Sequence, residues 1–311
     1  MSRPLRVAYV GGLGRSGSTL IELCLGGLEA VCAVGELVHL FERGLQEDQL
    51  CGCGQAFSAC PFWNGVGDVA FGGWERVDVE QVLSLKKGVD RTRYVPELVW
   101  PGPRSAVLER ARAYSSYYRR IYAAALEISG ADVVVDSSKH VSFAACLRLD
   151  EDLDLRVVHV VRDSRGVAYS WMKSVLRPEI KDAQVLMPRH SPAKSSAMWM
   201  AHNVLYEAVA ARGTPYLRVR YEDFARDPAN TLASIADFLG LPVGPAEALA
   251  PDGRVQLHAT HTVAGNPLRF TSAQVEVRAD EAWRRELRPL HRRTVSALTA
   301  PLRWRYGYRG T

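Results

Sequence analysis

The stretch Val7-Ala8-Tyr9-Val10-Gly11-Gly12-Leu13-Gly14-Arg15-Ser16-Gly17-Ser18-Thr19-Leu20 sets a β-branched and aromatic run, a glycine-rich turn and helix-forming residues in immediate succession. That order reads as strand, loop and helix. It aims backbone N–H groups and the positive end of a helix at a single anion. Gly12, Gly17 and Thr19 fit the nucleoside-triphosphate pattern G-x-x-x-x-G-K-[ST], but Ser18 stands at the lysine position. A kinase or ATPase uses that lysine to reach the β- and γ-phosphates, so its absence argues against a triphosphate. Arg15 offers a planar cationic fork within the loop instead, matched to an oxygen pair of a phosphate or sulfonate.

The 311 residues are enough for one large α/β domain or two small ones, and 47% hydrophobic content supplies a core. No apolar run approaches the roughly 18–20 residues of a membrane span. No apolar stretch precedes the loop, so the expectation is a cytoplasmic chain without a secretory signal or membrane partner. The net charge of +5 is spread without a basic tail or block. That argues against nucleic acid and suits a small, highly anionic ligand. Lysine is scarce, six against 33 arginines, which makes Lys139 stand out.

Short apolar runs alternate with helical patterns, which implies a parallel sheet covered by helices, an α/β/α arrangement. The expected strands are Leu5–Val10, Asp132–Asp136, Leu155–Val161 and Tyr216–Val219. Helices fit Thr19–Leu28, Ser105–Ser129, Val141–Leu149, Gly166–Val175, Pro192–Ala211, Pro228–Leu239 and Asp280–Leu298. Residues from about 40 to 104 differ in character and read as an insertion over the acceptor side of the sheet's C-terminal edge, where open α/β folds bind ligands. The Pro-bounded loop 177–192 is a candidate lid.

Three of the six cysteines cluster as Cys51, Cys53 and Cys60. Their spacing is not a zinc-finger pattern, and His39 is the nearest fourth candidate in sequence. Metal binding, a local disulfide or redox-active pair, and plain structural thiols all stay open. Trp63, Trp74, Trp100, the tyrosines of the Tyr114–Tyr122 helix and Trp171 could line an aromatic pocket, though more of them belong to the core.

A second anion site follows the strand ending at Val161. Arg162 and Ser170, eight residues apart, flank the next strand-to-helix turn. Together the two sites resemble the sulfotransferases that use 3′-phosphoadenosine 5′-phosphosulfate (PAPS). The resemblance implies a P-loop-type fold in one domain. It also implies that Gly14, Arg15, Ser16, Gly17, Ser18 and Thr19 take the 5′-phosphosulfate, and Arg162 and Ser170 the 3′-phosphate. The family's arginine is usually followed by Asp-Pro-Arg, and here the middle residue is Ser164. Tyr221-Glu222-Asp223-Phe224 looks like the family's Tyr-Glu element. Residues 251–270, with His261 to Phe270 at their end, are similar to the C-terminal donor-binding loop of bacterial members. Tyr221, Asn266 and Arg269 are therefore further donor-binding candidates.

The resemblance also implies an enzyme that moves a sulfonyl group to an acceptor hydroxyl, with small molecules and natural products among the open acceptors. No metal is required, because the group carries one negative charge. Lys139, in Asp136-Ser137-Ser138-Lys139-His140, matches the family's lysine beside the bridging oxygen and would act on the leaving group with Arg15. Glu36 lies 21 residues past Arg15, the separation of the Gly-Glu element in protein-tyrosine sulfotransferases, and is preferred as general base over His140. Two rival readings remain. Asp136 could hold Mg²⁺ in a small-molecule kinase, or the chain could be a non-catalytic nucleotide-binding module.

Overall fold

A computed structural model describes residues 4–102, 105–174, 186, 188–241 and 254–309. Pro103, the end of the expected 166–175 helix, most of the 177–192 loop, Pro242 and the start of the 251–270 loop lie outside the described residues.

Five parallel strands form the centre: β1 (Leu5–Gly11), β2 (Val31–Gly35), β3 (Val133–Lys139), β4 (Leu153–Val161) and β5 (Tyr216–Arg220), in the order β2-β3-β1-β4-β5. Both faces are covered, so β1, β3 and β4 carry continuous apolar runs, whereas the edge strand β5 alternates with Arg218 and Arg220. Val7 and Tyr9 of β1 point into one core, Ala8 and Val10 into the other. The second core is closed by α1 (Ser18–Leu25) and, later in the chain, by a helix over Pro228–Leu239.

Between β2 and β3 come α2 (Pro61–Phe71), α3 (Val79–Val89), α4 (Val95–Val99) and the long α5 (Ala106–Ser129). Ser105 caps α5 by accepting from the Leu108 N–H at 3.1 Å. The 40–104 segment packs α2 and α3 on α5 and shares the larger core with the sheet. Then follow α6 (Val141–Leu147), α7 (Ser164–Met172), α8 (Pro192–Ala210), α9 (Tyr221–Arg226) and α10 (Pro228–Leu239). A short pair, β6 (Val255–Gln256) and β7 (Gln274–Val275), precedes α11 (Trp283–Glu286) and α12 (Pro289–Arg305). Among the described residues no helix is long and apolar enough to cross a membrane.

Three expectations need correction. β2 is absent from the expected strands, because five apolar residues cannot be assigned to strand or helix by periodicity alone. β3 runs past Asp136 to Lys139, since the Ser137 and Ser138 hydroxyls donate to buried Glu22 and Asp136 at 2.5 Å each. The expected helix over Asp280–Leu298 is two helices, α11 and α12. Pro289 cannot donate to a preceding turn and forces Arg288 to φ −50°, ψ 139°.

Candidate active site

All five strands deliver a residue to one cleft at their C-terminal ends. β1 runs into the glycine loop, β2 leads to Glu36, β3 ends on Lys139 and is followed by His140, β4 leads to Arg162, and β5 to Tyr221. β1 lies between β3 and β4, so the strand order reverses at the loop, the usual ligand position in an open α/β sheet. The cleft encloses about 600 Å³.

Gly17 is the N-cap of α1 at φ 89° and makes no side-chain cap, so the first-turn N–H groups face the cleft. A Cβ there would sit 2.5 Å from the Tyr221 ring, so only glycine fits. Arg15 and Lys139 also hold positive φ, 77° and 65°. Backbone strain of this kind concentrates where a site over-determines the chain. Trp171 of α7 clamps the loop, its indole N–H donating to the Gly14 carbonyl at 3.1 Å with the Arg15 guanidinium 5.4 Å from its ring centre.

The two expected anion sites are physically joined. Arg162 Nη1 donates to the Arg15 carbonyl at 3.2 Å, and Nη2 to the Asp280 carbonyl at 2.9 Å. The guanidinium lies 4.7 Å from the Tyr221 ring centre, and the Tyr221 hydroxyl donates to the Arg278 carbonyl at 3.1 Å. Burial would raise the Asp280 carboxyl, but Arg162 and Lys173 hold it below its ordinary range. Glu222 accepts from the Asp163 N–H at 3.0 Å and steadies the turn.

At the other end the Lys139 ammonium donates to the Glu36 carboxylate, and His39 Nε2 lies 3.7 Å from its second oxygen. Burial pushes the His39 imidazole well below its usual range, so it is neutral there. His140 Nδ1 lies 2.9 Å from Asp90, a carboxylate that also accepts from Ser142 at 2.5 Å. Burial would raise Asp90, yet the His140 ring and the Ser142 hydroxyl bring it below its ordinary range.

Of the residues expected from sequence, Gly14, Arg15, Gly17, Ser18, Thr19, Glu36, Lys139, His140, Arg162, Ser170, Tyr221 and Asn266 line this cleft. Ser16 is buried beneath the loop. Arg269 is also buried and does not line the cleft. It donates to the Thr262 carbonyl at 2.9 Å, so it braces the loop that carries Asn266. Asn266 Oδ1 accepts from the Leu268 N–H at 3.0 Å, leaving its amide nitrogen for a ligand. Arg43, Met198 and His202 join the lining without a sequence motif to mark them. Asp90 behind His140 is likewise unmarked, because its partner is 50 positions away and gives no local signal. Of the aromatic candidates, Trp63 and the Tyr114, Tyr118 and Tyr122 rings are core, Trp100 is exposed, and Trp171 faces the cleft.

The profile of the family described as "Sulfotransferase domain" matches residues 94–267. The chain belongs to the sulfotransferase domain family. Mouse and human proteins named carbohydrate sulfotransferase 2 are 29% identical over 182 residues, 47% of this chain and 33% of theirs. Human carbohydrate sulfotransferase 6 is 27% identical over 177 residues, 51% of this chain and 43% of its own. The chain thus spans under half the length of these curated relatives. The sulfotransferase domain of the Synechococcus PCC 7002 olefin synthase superposes with a TM-score of 0.50 at 20% identity, covering 96% of both chains, and shares the fold. Within this sulfotransferase-family chain the matched span holds Lys139, His140, Arg162, Ser170 and Tyr221, whereas the glycine loop and Glu36 lie before it.

Proposed function

We propose that the chain transfers a sulfonyl group from PAPS to an acceptor hydroxyl. The hydrogen bond from Arg162 to the Arg15 carbonyl carries this reading, because it joins two anion sites in one cleft. A donor with phosphates at two ribose positions needs both. The loop amides and Arg15 hold the phosphosulfate, while Arg162 and Ser170 hold the 3′-phosphate. Arg15, Arg43, Lys139 and Arg162 line the cleft together with the single carboxylate Glu36, a positive field suited to that donor.

Glu36 takes the acceptor's proton as the acceptor oxygen bonds to sulfur and the bond from sulfur to the bridging oxygen breaks. Lys139 is shared between two demands. With no donor bound it pairs with Glu36, and donor phosphate competes for it. Moving to the leaving oxygen, it releases the carboxylate to act as base. Charge held in place before the reaction in this way supplies most of the stabilisation in a loose transfer. The Asp90–His140 contact favours a second reading in which His140 is the base, its ring oriented by a buried carboxylate.

Against the kinase alternative, Asp136 is fully buried and accepts from Tyr122 at 2.6 Å and from Ser138, so it does not reach the cleft. The proposal retains a cytoplasmic, bacterial setting and a hydroxylated small molecule as acceptor. Sugars come first among candidates because the matched relatives are named carbohydrate sulfotransferases.

Calorimetry with 3′-phosphoadenosine 5′-phosphate (PAP), without Mg²⁺, tests the donor assignment. PAP is expected to bind more tightly than AMP, and Arg162→Ala to lose about 30- to 5,000-fold in PAP affinity, the range for removing one partner of a buried charge contact. Equal affinity for PAP and AMP defeats the proposal.

A further inference from the structure

The sulfur cluster finds its fourth member far along the chain. The nearest candidate in sequence, His39, turns to Glu36, whereas His261 meets the cysteines. Cys60 Sγ lies 3.7 Å from Cys51 Sγ, 3.8 Å from Cys53 Sγ and 3.2 Å from His261 Nδ1. Cys51 Sγ is 3.8 Å from the same nitrogen, and all four atoms lie within 4.8 Å of one another. A tetrahedral zinc ion, with Zn–S bonds of about 2.3 Å and Zn–N of about 2.0 Å, holds its ligand atoms about 3.5–3.8 Å apart. All three cysteines are free thiols. Thiols are weak donors and weak acceptors, so their mutual contacts alone give little reason for this convergence.

The surroundings fix the four groups in place. Cys51 and Cys53 sit on a tight knuckle closed by Gly54 N–H to the Cys51 carbonyl at 2.8 Å. Backbone N–H groups of Cys53 and Trp63 point at the Cys51 and Cys60 sulfurs and help to fix their positions. The His261 ring stacks on Phe62 with centroids 4.7 Å apart, and its carbonyl accepts from the Trp63 indole at 2.9 Å. Gly52 N–H donates to the Thr262 carbonyl at 2.9 Å, and a Cβ on Gly52 would lie 2.4 Å from Thr262 Oγ1.

We propose that Cys51, Cys53, Cys60 and His261 form a structural zinc site that clamps the 40–104 insertion to the strap carrying Asn266. Two residues on, the Val263 N–H donates to the Val34 carbonyl at 2.9 Å, and Glu36 N–H donates to the Val263 carbonyl at 2.7 Å. The ion therefore anchors the strap beside Glu36. None of its four ligands lines the donor cleft, so the ion has a structural place and no contact with the reacting groups.

The test is metal analysis of the full chain, purified without a polyhistidine tag. About one zinc per chain is expected, retained through gel filtration and lost in Cys60→Ser. His261→Cys, which keeps four soft ligands, should retain it. Cobalt substituted for zinc should show tetrahedral d–d bands with thiolate charge transfer, a readout on folded wild-type protein that does not depend on any variant. Wild-type protein without zinc, a disulfide among the three cysteines in the unreduced chain, or zinc kept by Cys60→Ser would each overturn the proposal.

Discussion

The phosphate end of the cleft and the wall that faces it are assembled differently. The loop from Gly12 to Thr19 is made by consecutive residues, with one strand feeding one helix. The facing wall and the cluster behind it are made by pairs drawn from far apart. In the wall Glu36 meets Lys139 across 103 positions and His140 meets Asp90 across 50, and outside the cleft Cys60 meets His261 across 201. Local geometry therefore sets the shape of the loop. Chain packing sets where Glu36 and His140 stand and how the 40–104 segment is held.

The largest effects should come from the wall. Glu36→Gln is expected to lower kcat by about 10²–10⁴ while PAP affinity changes little, as removal of a general base requires. His140→Gln should lower kcat by less than about ten-fold on the same scale. Reversal of that order moves the base to His140, and Asp90→Asn should then reproduce the defect. Steady-state rates with calorimetry on the same variants decide it.

A smaller effect should follow at the grip. Gly17→Ala forces a Cβ against Tyr221 at φ 89°, a strain of about 1–3 kcal/mol. PAP affinity should fall about ten-fold or more, with a melting temperature shift to match. Unchanged affinity would show that the loop's backbone is not what holds the phosphates.

The smallest effect on activity is expected in the scaffold joining the two regions, where the readout is stability. Glu22 on α1 accepts from Gly35 N–H at 2.6 Å and from Ser137, and burial raises its carboxyl from 4.5 to about 7. The folded state holds this proton more tightly than the unfolded one. That stability is complete below pH 4.5 and is lost as pH rises to about 7. Between these limits the wild type should lose up to about 3 kcal/mol relative to Glu22→Gln. Parallel denaturation curves at pH 5 and pH 8 would refute the assignment.

Sequence patterns were legible where one segment carries its own partners. The β1–loop–α1 unit and the helix starts at Ser105 and Asp227 are such cases, the latter accepting from the Asn230 N–H at 3.1 Å. They were not legible at β2, whose five apolar residues form a strand only because β3 pairs with them. Arg269 was expected among the donor contacts, and the structure buries it outside the lining of the cleft. A cationic side chain in a ligand loop looks the same in sequence whether it turns to the cleft or, as here, to the Thr262 carbonyl.

By itself, then, the chain's sequence determined an anion loop without the triphosphate lysine, a second arginine site after a buried strand, and a parallel sheet carrying both. These follow from neighbouring residues, through backbone N–H direction and apolar runs. Only the tertiary structure decided that Arg162 touches the loop, that Lys139 rests on Glu36, that Asp90 stands behind His140, and that His261 completes the cysteine cluster. Each of those contacts needs strand ends, or segments packed against them, to be brought together by burial of the sheet's two faces, a long-range condition that no local pattern encodes.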